Sequence, residues 1–572
     1  MNACLKAFAL STISLTATVA AAASASAATC DSLASLALPN ATVTAAQSMP
    51  GGSFTPPGST TPLTGLPAFC RVAVTSTPTS DSVINIEVWL PADGSFNGKY
   101  EQLGCGGFCG SISYSGLAEA IRRGYAAAAT NDGNPDPNGG ATFALGHPEK
   151  IIDFGYRALK ETTDKAKAVI AAWSGDDPSR SYFAGCSDGG REALMVAQRF
   201  PDDFDGIIVG SPANAWTHLF SGFIWNAQAL LIDPASYVPP SLLPVLSKAA
   251  LAQCAGQDGG VGTDPFLNDP RDCQFDPGTV QCQAGQDPGT CLTAEQVAAV
   301  RKIYAGPHDP QTGALIFPGY EPGTEANSAN WPTWIVGASR EANLSNATDI
   351  TTALAQGQAL QTFFGKNFFA NFVFQDPNFD FSTFSFPRDV NFADEGVGPI
   401  VNSTNPDLRP FRSHGGKMIH YVGWADSAIA PMNSVNYYTQ VKQAASKGFQ
   451  DLQGFYRLFM VPGMAHCGGG DGPNAFGNGV NGPVLDPAHD LLMALDRWVE
   501  QGVAPDQIIA TKYVNDQPAS GVAFQRPLCP FPQVARYDGS GDPTSASSFT
   551  CVTDERDQDP RDQGFVQGGQ SN

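Results

Sequence analysis

The stretch from Tyr182 to Glu192 constrains the fold more than any other part of this 572-residue chain. A strand-like run, Ser181 to Ala184, leads into Gly185-Cys186-Ser187-Asp188-Gly189, and residues 191–200 have helical spacing. A strand that enters a helix through Gly-x-Ser-x-Gly predicts a sharp turn that presents the serine as a nucleophile. The chain has 60 glycines, so the motif alone would also fit a glycine-rich turn with an incidental serine. The flanking strand and helix favour the nucleophile.

Strand and helix patterns alternate around this turn. Apolar strand patterns occur at 71–74, 82–90, 100–103, 126–130, 207–209, 417–423 and 455–461, and helical spacing occurs at 153–173 and 488–501. Such alternation predicts an α/β fold with a doubly wound, mostly parallel sheet. Residues 216–410 interrupt the pattern over a length far beyond a simple connection. We therefore expect an inserted domain there, between two parts of one core at 28–215 and 411–553.

The first residues of the chain indicate an exported protein. Residues 1–27 read as a secretory signal peptide, with Lys6 before an apolar run and Ala25-Ser26-Ala27 as the cleavage site. No later apolar run is long enough for a membrane anchor. The formal net charge of −22 argues against nucleic acid and membrane partners, which require basic patches. We expect a secreted or periplasmic protein with a flexible polar tail at 554–572; its oligomeric state is open.

The cysteines agree with export. Of the 13, Cys4 lies in the signal peptide, which leaves 12. An even number in an exported chain predicts disulfides. A zinc site is the alternative, but the sequence has no Cys-x-x-Cys pair and few histidines. Cys30 with Cys70, and Cys529 with Cys551, bracket segments that a disulfide could close.

A serine nucleophile needs a base to take its proton and an acid to orient that base. In doubly wound hydrolases the order is serine, acid, histidine, each just past a strand end. Ser187, Asp426 and His466 satisfy both conditions. Asp451 and Asp471 compete for the acid, but neither directly follows an apolar strand. The other histidines lie in turns, in helices, near a strand start or inside a strand.

A glycine-rich loop, Gly104 to Gly110, directly follows the strand at 100–103. Ester cleavage places negative charge on the carbonyl oxygen, which backbone N–H groups can stabilise. The candidates are the N–H of Asp188 and that of Gly106 or Gly107. A phosphate-binding loop is the alternative, but no helix with Lys-Ser/Thr follows.

Cys186 precedes the candidate nucleophile and Cys467 follows the candidate base. If Ser187 and His466 meet, the two cysteines come within the short span of a disulfide. Two cysteines in these two positions are improbable by chance. The coincidence therefore supports the pairing of Ser187 with His466.

These motifs resemble the tannase and feruloyl esterase family, which also includes MHETase-like esterases. The resemblance rests on Gly185-Cys186-Ser187-Asp188-Gly189-Gly190, on Asp426, and on Gly463-Met464-Ala465-His466-Cys467, and it extends from Cys30 to Cys551. It implies an α/β-hydrolase core with a large lid, here at 216–410. It also implies a serine carboxylic ester hydrolase that acts on small-molecule esters of aromatic acids, hydroxycinnamic or gallic, without a catalytic cofactor.

The same resemblance implies a set of disulfides. They are Cys30–Cys70, Cys186–Cys467, Cys254–Cys273, Cys282–Cys291 and Cys529–Cys551, which leaves Cys105 and Cys109 as the sixth pair.

The family also carries a lid calcium site, which the resemblance maps onto the residues after Cys254. Ala255 stands where the family has its first aspartate, and two residues are inserted before Asp264. Calcium prefers six or more oxygen ligands. The ligands that remain are the carboxylates of Asp258 and Asp264 and the carbonyls of Val261 and Phe266. A structural Ca²⁺ in the lid is therefore an expectation with an incomplete ligand set.

Three alternatives stay open on the sequence alone. One is an esterase for a different ester, such as an aromatic diacid monoester. Another is a non-catalytic binding protein on a hydrolase scaffold, which the complete triad argues against. The third is a peptidase with the same chemistry, which the resemblance argues against. Most lid aromatic residues are expected to form the lid core, and a few are expected to face Ser187.

Overall fold

The computed structural model describes residues 29–553. The predicted signal peptide at 1–27 and the predicted tail at 554–572 lie outside the described residues. Within 29–553, the division into core, inserted domain and core remains a prediction.

A nine-stranded sheet forms the centre of the molecule. Its strands are β1 Ala41–Met49, β2 Phe69–Ser76, β3 Ile84–Pro91, β4 Lys99–Leu103, β5 Ala126–Thr130, β6 Arg180–Cys186, β7 Gly206–Gly210, β8 Lys417–Gly423 and β9 Tyr456–Val461. The spatial order is β1-β2-β3-β5-β4-β6-β7-β8-β9. The pairs from β1 to β5 are antiparallel, and those from β5 through β4 to β9 are parallel. The predicted mostly parallel α/β sheet is confirmed.

The strand order places two chain segments side by side. From β5 the chain returns past β4 to β6, and Leu103 at the end of β4 pairs with Ala184 of β6. The glycine-rich loop that follows β4 and the turn that follows β6 therefore leave the same edge of the sheet. In open α/β sheets, ligand crevices form at such reversals of strand order.

Helices cover both faces of the sheet. Successive side chains of a strand point to opposite faces, so each face has its own apolar residues to bury. Phe183, Ile207 and Val209 lie on one face, in a core shared with Ala158–Ser174, Asp188–Arg199 and Pro431–Ala445. Tyr182, Ile208 and Tyr421 lie on the other face, with the helices Tyr114–Arg122 and Leu491–Gln501.

Two predicted helices differ at their first residues. The helix predicted from 488 starts at Leu491, because the Asp490 side chain caps it by accepting the Met493 N–H. The helix predicted at 153–173 begins with a π turn, Asp153–Arg157.

The connection from β7 to β8 contains its own helices and its own apolar core. Its helices are Trp216–Leu231, Leu243–Cys254, Ala294–Ala305, Arg340–Asn343, Ile350–Gln356, Leu360–Phe368, Arg388–Gly396, Gly398–Val401 and Arg409–His414, with a π turn at Pro332–Val336 and another at Phe369–Val373. Most of the predicted lid rings lie in this core; Phe363, Phe368 and Phe369 are fully buried.

Among residues 29–553, no single helix is long and apolar enough to cross a membrane. One pair of consecutive segments, Trp216–Leu231 and Pro234–Cys254, has the required length and composition when taken together, but the two are bent by 103° relative to each other.

Smaller elements complete the fold. Antiparallel pairs are Gly52–Phe54 with Leu63–Leu66, Ile508–Tyr513 with Val522–Leu528, and Gln533–Tyr537 with Phe549–Thr553. Short helices lie at Pro148–Ile152 and Phe449–Leu452. The six cysteine pairs named above are all present as disulfides. This number of disulfides fits an oxidising compartment.

Candidate active site

Ser187 lies at the apex of the turn between β6 and the helix Asp188–Arg199, with φ 67° and ψ −120°. A non-glycine residue in that region is strained by about 1–3 kcal/mol. The turn is also too tight for side chains on its neighbours. A Cβ on Gly185 would lie 2.4 Å from the Gly189 carbonyl oxygen, and one on Gly190 would lie 2.2 Å from the Gly210 oxygen. Glycines at these positions therefore let the backbone hold the Ser187 side chain away from the sheet.

Ser187, His466 and Asp426 form a continuous chain of hydrogen bonds. His466 Nε2 lies 2.8 Å from Ser187 Oγ, and His466 Nδ1 lies 2.9 Å from Asp426 Oδ2. The other Asp426 oxygen accepts the N–H groups of Ala428 and Ile429 at 2.9 and 2.8 Å. Those two bonds fix the buried carboxylate, so that Oδ2 remains for the imidazole. The arrangement can pass a proton from Ser187 to His466 and stabilise the resulting imidazolium.

The competing residues identified in the sequence are engaged elsewhere. Asp451 pairs with Arg412 at 2.6 Å, and Asp471 accepts a hydrogen bond from Asn327 Nδ2 at 2.8 Å. His420, inside β8, is buried between Tyr456 Oη at 2.8 Å and Ser434 Oγ at 3.0 Å. Burial lowers the pKa of His420 to about 3, so this histidine is a neutral core residue.

A disulfide joins the nucleophile turn to the histidine loop. Cys186 and Cys467 are adjacent to Ser187 and His466, and their Cα atoms are 5.9 Å apart. The bridge spans 281 residues of sequence. It therefore couples the loop after β9 to the turn after β6 without relying on either loop's own contacts.

The two segments expected to bind an oxyanion are hydrogen-bonded to each other. The Gly189 N–H donates to the Cys105 carbonyl at 2.8 Å, and the Gly104 N–H donates to the Ala184 carbonyl at 2.9 Å. The N–H of Asp188, the first residue of its helix, belongs to the group without an intrahelical acceptor. A Cβ placed on Gly106 would have no atom within 4 Å, so space is open beside this residue. Asp188 with Gly106 or Gly107 remains the predicted pair of donors.

A group of buried charged residues lies behind this loop, and sequence patterns did not reveal it. Asp132, Asp188 and Glu192 are each at most 1% exposed and surround the Cys105–Cys109 disulfide. The fully buried Arg191 donates to Asp188 Oδ1 through Nε. Burial raises the pKa of Glu192 well above its ordinary value and that of Asp132 to about 7. The only sequence signal was the spacing of Asp188 and Glu192, four residues apart on one helix.

One aromatic side chain of the segment between β7 and β8 packs on the triad histidine, and a second packs on the first. The Trp334 ring meets the His466 ring edge-on, with centroids 5.1 Å apart and planes at 76°. Phe364 is nearly parallel to Trp334 at 6.2 Å, and its ring would be 3.3 Å from a Cβ on Gly107. Trp334 therefore lies beside the candidate base and Phe364 beside the glycine-rich loop; that a few lid rings face Ser187 stays a prediction.

The two carboxylates expected to hold calcium are both engaged by donors of the protein. Both oxygens of Asp264 lie 3.0 Å from Arg526 Nη2. Asp258 uses both carboxylate oxygens to accept the backbone N–H groups of Gly260 and Asn268. The Val261 carbonyl accepts the Asp264 N–H at 2.9 Å. Arg526 thus supplies the opposite charge beside Asp264, and with both carboxylates engaged this set does not fit Ca²⁺, which prefers six or more oxygen ligands.

Phe266, whose carbonyl completed that expected set, has a packing role. Its ring stacks on Phe524 at 6.0 Å, and its Cβ would be 2.5 Å from a Cβ on Gly463. The segment after Cys254 therefore packs under the loop that carries His466.

Comparisons with known proteins show the family of the chain. Residues 70–552 match the protein family described as "Tannase and feruloyl esterase". An uncharacterized esterase of Xanthomonas campestris pv. campestris is 42% identical over 549 residues, which cover 92% of each chain. A probable feruloyl esterase B-1 of Aspergillus oryzae is 32% identical over 502 residues, 86% of each chain. The crystal structure of feruloyl esterase B from Aspergillus oryzae superposes with a TM-score of 0.82 at 30% identity, covering 91% of this chain and 99% of that one.

Proposed function

The chain belongs to the tannase and feruloyl esterase family and is a carboxylic ester hydrolase, and on that premise we propose that it cleaves esters of aromatic acids through Ser187, His466 and Asp426. The observation that carries the proposal is the hydrogen-bonded chain from Ser187 Oγ through His466 to Asp426, at 2.8 and 2.9 Å. A serine on a strained turn, with a base in contact and an acid behind the base, is the arrangement that acyl transfer requires.

In the first half-reaction, His466 Nε2 takes the Ser187 proton as Oγ attacks the ester carbonyl carbon. The negative charge that develops on the carbonyl oxygen is stabilised by the N–H of Asp188 and by that of Gly106 or Gly107. His466 then gives its proton to the alkoxide, and the alcohol leaves. An acyl group remains bonded to Ser187.

In the second half-reaction, water replaces the alcohol. His466 takes a proton from water, and the resulting hydroxide attacks the acyl carbonyl. The tetrahedral intermediate collapses when His466 returns the proton to Ser187 Oγ, which releases the carboxylic acid. Asp426 keeps the imidazole in one tautomer and stabilises its protonated form in both halves.

The aromatic acyl group is inferred from Trp334 and Phe364. Their rings lie against His466 and beside Gly107 respectively. An acyl group bonded to Ser187 would lie next to His466, on which the Trp334 ring packs, and flat rings stack favourably on aromatic side chains. The names of the feruloyl esterase relatives point to the same class of acid.

We also propose that the protein is exported. The signal-like residues 1–27 and six disulfides support this proposal. The test is the location of the processed chain after expression with its own first residues, in cell extract, periplasm and medium.

Initial rates on a panel of esters test the substrate class. The panel contains methyl ferulate, methyl caffeate, methyl gallate, a terephthalate monoester and p-nitrophenyl acetate, with Ser187→Ala and the exposed Ser382→Ala as paired variants. We expect a preference for one aromatic acid that Ser187→Ala abolishes and Ser382→Ala retains. A preference for the terephthalate monoester would favour the diacid alternative, and activity on p-nitrophenyl acetate alone would contradict the aromatic assignment. Binding of these esters without turnover would favour the non-catalytic alternative.

A further inference from the structure

Three carboxyl groups from two segments converge behind the glycine-rich loop. Asp132 follows β5, and Asp188 and Glu192 lie on the helix that begins after Ser187. One oxygen of each lies within 4.8 Å of the others and of the Cys105 and Cys109 sulfurs. The sulfurs are bonded to each other, so they bring neither a proton donor nor a charge to this group.

In the part of the chain that the structure describes, one cation serves these three acids. Arg191 Nε donates to Asp188, while its terminal nitrogens donate to the carbonyls of Gly155 at 2.8 Å and Phe154 at 3.1 Å. Arg191 therefore compensates Asp188 and leaves the other two acids without a partner of opposite charge. The next acid, Asp153, is paired with Arg157. Isolated buried carboxylates are costly, so Asp132 and Glu192 are expected to hold a proton between them.

The contacts of the two carboxyl groups favour Glu192 as the one that carries the proton. Glu192 Oε2 accepts the Cys105 N–H at 3.2 Å. Among the described residues, no donor reaches the buried Asp132 Oδ1. An unsatisfied buried oxygen costs about 1–3 kcal/mol, and a Glu192 O–H would supply the Asp132 carboxylate with a donor. Glu192 also fits closely, since a Cβ on Gly104 would lie 2.6 Å from its Oε2.

We propose that Glu192 is a positioning residue for the oxyanion-binding loop: as an un-ionised acid it donates its O–H to Asp132 and accepts the Cys105 N–H. This contact holds Cys105, and with it the adjacent amides of Gly106 and Gly107, at a constant distance from Ser187. The inference rests on the proposed function, because it assigns these amides to the transition state.

The contact depends on pH. Burial raises the pKa of Glu192, and the charges of Asp132 and Asp188 raise it further, while Arg191 opposes them. When the shared proton is lost, two adjacent anions repel each other beneath the loop. Turnover should then fall on the alkaline side while substrate binding changes little, because the loop amides act mainly in the transition state.

Two substitutions separate this role from simple packing. Glu192→Gln keeps an acceptor for Cys105 and an N–H donor for Asp132 but cannot ionise. We expect its kcat near neutral pH to lie within a few-fold of the wild-type value, and the alkaline limb of its pH–rate profile to move to higher pH. Glu192→Leu removes both bonds; we expect kcat to fall about 10- to 100-fold with KM little changed. The exposed Glu395→Gln is the control and should match wild type. Superimposable pH profiles for wild type and Glu192→Gln would overturn the proposal.

An infrared difference spectrum of wild type against Glu192→Gln provides a readout that does not need turnover. We expect the carbonyl band of an un-ionised carboxylic acid in wild type at neutral pH, lost in the variant. Absence of that band in folded wild type would overturn the inference about Glu192. Wild type that shows the band but hydrolyses no aromatic ester would instead contradict the proposed substrate class and leave the proton assignment supported.

Discussion

Cys186 and Cys467 are joined by a disulfide, with Cα atoms 5.9 Å apart, and each is the immediate neighbour of a residue assigned to proton transfer. Ser187 and His466 come from turns after different strands, β6 and β9, which are not adjacent in the sheet. Their 2.8 Å contact thus depends on the relative position of two loops. A covalent link beside both residues limits that movement more directly than packing of either loop.

Removal of this bridge should reduce both stability and turnover. We expect the double variant Cys186→Ala/Cys467→Ala to lose about 2–5 kcal/mol of unfolding free energy. Its kcat should fall more than its KM rises, because a displaced base slows chemistry more than binding. The control is Cys282→Ala/Cys291→Ala, whose bridge closes nine residues of the inserted segment. Equal kcat in the two double variants would contradict the account.

Trp334 should govern which acyl groups are accepted. Trp334→Ala removes the ring that lies 5.1 Å from the His466 ring. We expect kcat/KM on an aromatic acyl ester to fall about tenfold or more, because a lost aromatic contact costs about 1.5 kcal/mol. Activity on p-nitrophenyl acetate should be retained. Trp225→Ala, whose ring packs on Phe386, is the matched control. Equal losses on both substrates would show that Trp334 supports the triad rather than the acyl ring.

The pairing of Arg526 with Asp264 predicts that the protein does not need calcium. The Arg526 side chain is 3% exposed, and loss of one partner of a buried pair typically costs about 3–5 kcal/mol. Arg526→Met should therefore lower the melting temperature by several degrees, whereas Arg388→Met, at a surface pair, should change it little. Chelation of divalent ions should leave the melting temperature and the rate of wild type unchanged. A calcium-reversible drop on chelation would contradict the pairing.

Stability should fall as the pH rises from mildly acidic to neutral. Burial raises the pKa of Glu101 from 4.5 to about 7, although Arg123 opposes the shift. Above pH 4.5 the unfolded chain releases this proton while the folded protein retains it, so the free energy of unfolding decreases until the folded pKa is passed. The loss from Glu101 is about 3 kcal/mol at most. Glu101→Gln should flatten the decrease in denaturant titrations at acidic and neutral pH, and the exposed Glu341→Gln should not. A Glu101→Gln curve parallel to wild type would contradict this assignment.

The sequence predicted much of the fold and pointed to the residues of the candidate triad, because strand periodicity and strand ends are local features of a chain. Strand periodicity located most of the sheet, and residues just past strand ends pointed to Ser187, Asp426 and His466. The adjacent cysteines Cys186 and Cys467 supplied the long-range information that single-sequence patterns usually lack.

Contacts between distant segments could not be foreseen in the same way. Arg526 follows Asp264 by 262 residues, and no local pattern links them, so the calcium expectation could not account for a guanidinium in that place. Asp132 could be recognised as the end of a strand, but its approach to Glu192 depends on the order of β4, β5 and β6. The choice of Trp334 and Phe364 among many aromatic residues likewise depends on how the segment between β7 and β8 folds.

Ser187 should carry the acyl group during turnover, and that covalent intermediate can be trapped. The enzyme would be mixed with its best aromatic ester, quenched with acid during steady turnover, digested, and analysed by peptide mass spectrometry. We predict an added acyl mass on the peptide that contains Ser187, with no adduct in Ser187→Ala. Steady turnover by Ser187→Ala at the wild-type rate, or an acyl group on a different residue, would contradict the account.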